Sequence, residues 1–134
     1  MTIALFLNAA LVWIVIAVFA VVNGIVRENL LLPTLGHAAA LPLSGLMLSA
    51  IVFTVTYCSI GFLRSGTSEG YLLVGVQWVI MTLLFEFLFG HYAAGKPWSE
   101  ILQVFNFRSG DLFVLVLLIS LFSPILAAKL KGLL

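Results

Sequence analysis

The sequence predicts an all-α integral membrane protein: a four-helix transmembrane bundle with a short interfacial helix between the third and fourth spans. Three observations carry this. No ionisable residue occurs from Ile3 to Val22, and three later stretches are nearly as bare; a run of about 20 apolar residues matches the hydrocarbon thickness of a bilayer and lets a helix cross with its backbone internally bonded. The chain is 63% hydrophobic and 8% charged, with a mean hydropathy of +1.27, whereas an average soluble domain has roughly 25% charged residues. Once four spans are drawn, only short connections remain of the 134 residues. The chain therefore reads as one transmembrane domain, residues 1–134, without a soluble catalytic module.

The spans fall at about 3–31, 41–63, 71–90 and 112–128. No Lys or Arg precedes the first apolar run, which favours an uncleaved span over a signal peptide. The first helix is expected to end near Leu31 or Leu32, because the ring of Pro33 disfavours helix in the residue before it. Arg64 to Gly70 is a compact turn rich in Gly and Ser, which predicts that the second and third helices are antiparallel neighbours. The connections at about Leu31 to Ala40 and His91 to Asp111 are longer and are expected on the membrane surface. In the latter, Pro97 can open a helix, after which Trp98, Ile101, Leu102 and Phe105 recur at helical spacing while Glu100, Gln103 and Asn106 face elsewhere. This is the interfacial helix. Ser123-Pro124 should kink the fourth span. Ala17, Ala20 and Gly24 follow small-residue spacing and are read as ordinary packing within the bundle.

Charge excludes one class of partner. Six Lys and Arg against five Asp and Glu give a net charge of +1, with no basic run, so nucleic acid is not expected. The single cysteine, Cys58, permits no intrachain disulfide and is read as a small buried apolar residue. Basic residues divide evenly between the two sides of the membrane. The N-terminal amine and the paired Lys129 and Lys131 tip both termini toward the cytoplasm.

The alternating path of four spans gathers the unusual polar residues in one leaflet: Asn23, Arg27 and Glu28, His37 and Ser44, Glu86 and His91, Arg108 and Asp111. Glu86 lies in the otherwise apolar Phe85-Glu86-Phe87-Leu88-Phe89, about a turn and a half inside the boundary, where a carboxylate must be paired or protonated. Arg27 is its expected partner, with Asn23 one turn earlier on the same face. Two readings stay open. Asn23, Arg27, Glu28, Glu86 and His91 could line a proton or cation site, or Arg27 and Glu86 could be a structural ion pair. His37, Trp98, Arg108 and Asp111 are read as interfacial. No metal-ligand spacing and no cofactor motif is present. The hydroxyls of Ser44, Ser49, Thr54, Thr56 and Ser59 are read as bonding between helices, and Gln77 likewise.

Two stretches, Asn23-Gly24 through Arg27-Glu28 to Pro33 and Gly36, and Glu86 through Gly90 and Tyr92 to Gly95 and Trp98, resemble small four-helix bacterial inner-membrane proteins of uncharacterised function. The resemblance implies a bacterial cytoplasmic-membrane address and no activity. Small multidrug transporters carry an essential carboxylate in the middle of the first helix, where this chain has none. The Gly- and Ser/Thr-rich, phenylalanine-bearing segment of fluoride channels also has no counterpart. The expected role is a non-enzymatic accessory or scaffold subunit working through lateral helix contacts, with membrane lipid and either a membrane-protein partner or further copies of itself around it. The alternatives are an oligomeric proton- or cation-coupled transporter or channel using Glu86, and a small lipid-interface enzyme using His91, Glu28 and Asp111.

Overall fold

The computed structural model describes residues 2–63, 67–93, 95, 97–99 and 113–133. Among them every regular element is helical, and four helices are long and apolar enough to cross a membrane. Helix α1, Ile3–Val26, opens on Thr2, whose Oγ1 accepts the Leu5 N–H at 3.1 Å. That is the N-cap such a hydroxyl is suited to make. The helix does not stop at Leu31 or Leu32. It passes through a π turn, Arg27–Leu31, into the short α2, Leu32–Leu35. The wider turn, in which the Leu32 N–H reaches back to the Arg27 carbonyl, absorbs the crowding that Pro33 would cause in a regular α-helix, so the rod survives the proline.

Gly36 ends the rod. Its φ of +81° and ψ of 167° lie in a region open essentially to glycine alone, and α3, His37–Ser59, begins at the next residue. The expected surface connection between the first two spans thus shrinks to one residue. Helix α4, Ser68–Leu88, opens on Thr67, whose Oγ1 accepts the Gly70 N–H at 3.1 Å, and runs into a second π turn, Phe89–Ala93. Helix α5, Phe113–Leu130, carries Pro124 in its interior.

Three contacts rising together along both chains, Phe6 with Gln77, Ala9 with Trp78 and Trp13 with Thr82, make α1 and α4 parallel. Helix α5 packs on α3 and α4, and α1 packs on the same two. Helices α3 and α4 therefore run antiparallel as expected but stand mainly on opposite corners, which corrects the expectation that they are packed neighbours. The physical reason is at Gly75, where the absent side chain lets α4 meet the backbone of α5: a Cβ on Gly75 would collide with the Leu121 carbonyl. Close approach through a glycine is a principal source of packing energy between helices in lipid, where apolar surface alone gives no drive. The core is sealed by Leu5, Ala9, Val12 and Ile16 of α1 against Val52, Val74, Trp78 and Val116.

Gly75→Ala should lower the melting temperature in detergent, by the equivalent of about 1–3 kcal/mol for an overpacked contact. Gly61→Ala, where the added methyl meets nothing within 4 Å, should leave it unchanged. Equal melting temperatures for the two variants would contradict the crossing described here.

Candidate functional site

Polar side chains on helices this apolar need partners once buried, and here several find them across helices. The Trp78 indole donates to the Ala9 carbonyl at 2.9 Å, the Gln77 amide to the Phe6 carbonyl at 3.1 Å, and the Trp13 indole to Thr82 Oγ1 at 3.0 Å. On the other side of α1, Ser44 donates to Asn23 Oδ1 at 2.5 Å in a buried contact. Gln77 therefore bridges helices as its sequence position suggests. Of the hydroxyls in α3, Ser44 bridges too, whereas Ser49 and Thr56 turn back to the carbonyls of Gly45 and Val52 on their own helix. Ser123 does the same with Ile119, just before Pro124. Among the described residues, the buried side-chain atoms Asn23 Nδ2 and Gln77 Oε1 have no hydrogen-bond partner.

Asn23, Arg27, Glu28, Glu86 and His91 of the predicted polar cluster are all among the described residues. Asn23 is buried between α1 and α3. Arg27 takes Glu28 as its carboxylate, Nε to Oε1 at 3.3 Å, with side chains 31% and 61% exposed. Arg27 opens the π turn with Glu28 beside it, while Glu86 follows Gly75 by eleven residues, about three helical turns, and so shares the face of α4 that Gly75 turns to α5. Glu86 itself is half-buried.

His91 stacks on Trp98, ring centroids 3.9 Å apart and 16° between planes, and Tyr92 stands edge-on to both. His37 heads α3, but its side chain, Arg108, Asp111 and most of the expected interfacial helix lie outside the described residues. Cys58 is exposed, not buried, because it falls on the outward side of α3. Among the described residues no three His, Cys, Asp or Glu side chains converge.

Two outer features stand where sequence reasoning did not look. Leu7, Leu11, Ile14, Val18, Val21 and Ile25 on α1 are each 45–59% exposed. Their spacings of four, three, four, three and four residues form the apolar seam of a heptad repeat. That period was present in the sequence, but uniform hydrophobicity around α1 hid it. The second feature is an open groove of about 590 Å³, walled by Trp13 of α1 and by Met81, Leu84, Phe85, Leu88, Phe89 and Tyr92 of α4 and its π turn. Trp13 meets Phe85 edge-on at 5.9 Å, and Phe85 stacks on Phe89 at 5.1 Å.

No family model, curated protein or solved structure matches this chain.

Ser44→Ala removes the hydroxyl bonded to Asn23 and, among the described residues, leaves both polar atoms of that amide without a partner, so stability should fall by about 1–3 kcal/mol. The double variant Asn23→Leu with Ser44→Ala should recover much of this, since an apolar pair leaves nothing unsatisfied. A double-mutant cycle by thermal melting in detergent measures it, and strict additivity would contradict the Asn23–Ser44 bond.

Proposed function

We propose that the chain is a non-enzymatic membrane subunit acting through lateral helix contacts, with α1 as the helix that meets the partner. The observation that carries this is the outward heptad seam from Leu7 to Ile25. It extends over 18 residues, about 27 Å of helix axis at 1.5 Å per residue, close to the full depth of the hydrocarbon. A repeat of 3.5 residues keeps one stripe of a helix against a left-handed partner over its whole length. The polar side chains support the same reading from within. Trp13, Asn23, Gln77 and Trp78 spend their hydrogen bonds fastening α1 to its neighbours. The resemblance to small bacterial inner-membrane proteins suggests the cytoplasmic membrane as the address.

Purification from the native membrane in mild detergent should yield a stoichiometric larger membrane protein bound to this one. Val18→Trp, placed on the exposed seam, should reduce the partner's recovery by about tenfold, the loss of roughly ten carbon contacts, at an unchanged melting temperature. Recovery of the chain alone, or as a closed ring of identical copies, would overturn the subunit reading. In that event proteoliposomes showing an ion flux that Glu86→Gln abolishes, with the fold intact, would establish the transport alternative.

A further inference from the structure

We draw no further inference here: the strongest candidate, the open apolar groove between Trp13 of α1 and the Met81 to Tyr92 side of α4 and its π turn, carries nothing because no observation in the structure shows what covers it.

Discussion

The bundle depends on how α4 grips α1. Two donors on adjacent residues, the Gln77 amide and the Trp78 indole, reach carbonyls of α1 three residues apart, at Phe6 and Ala9. Those carbonyls belong to a helix and already serve its own ladder, so each accepts a second bond with its spare lone pair. In water such contacts would compete with solvent. In hydrocarbon they do not, yet their measured worth is modest, about 0.6 kcal/mol on average, since an unfolded helix in the membrane also finds partners. Their main effect is to fix register and direction. Three bonds at Phe6, Ala9 and Trp13 hold α1 parallel to α4, and the rest of the bundle follows from that choice.

With α1 set against α4, the chain must return through α3 and close through α5. The single-residue joint at Gly36 returns α3 at once alongside α1, where Asn23 and Ser44 meet. Gly75 then admits α5 against α4. The result places α3 and α4 across the bundle from each other, although they are consecutive in sequence. Loop length sets only how far apart two helix ends can be. Which helices pack is decided by side chains, and here the decisive ones are a glycine and two donors.

This explains what could be read from the residues and what could not. The four long apolar helices were legible because their runs lack charge, a signal that each residue carries separately. Helix bounds were less legible. Pro33 signalled an end, but a π turn from Arg27 to Leu31 carries the helix past it, a response of the whole backbone that a single residue does not announce. The polar residues at one end of the bundle were legible from chain threading, but which face each turns to depends on packing: Glu86 shares its side of α4 with Gly75, and Arg27 bonds Glu28 next to it. The heptad seam of α1 was present in the spacing of Leu7 to Ile25, but a helix apolar on every side offers many periods at once. Burial shows which side is left outside, a broad one that also carries Phe6, Val15, Phe19 and Val22.

That partition of α1 has a consequence for how the molecule can work. Successive residues turn by about 100°, so Leu5, Ala9, Val12 and Ile16 define an inner strip, Trp13 falls to the α4 side, and Leu7, Leu11 and Val18 face away from the core. One helix thus serves three surfaces: the core, the groove and the outer seam.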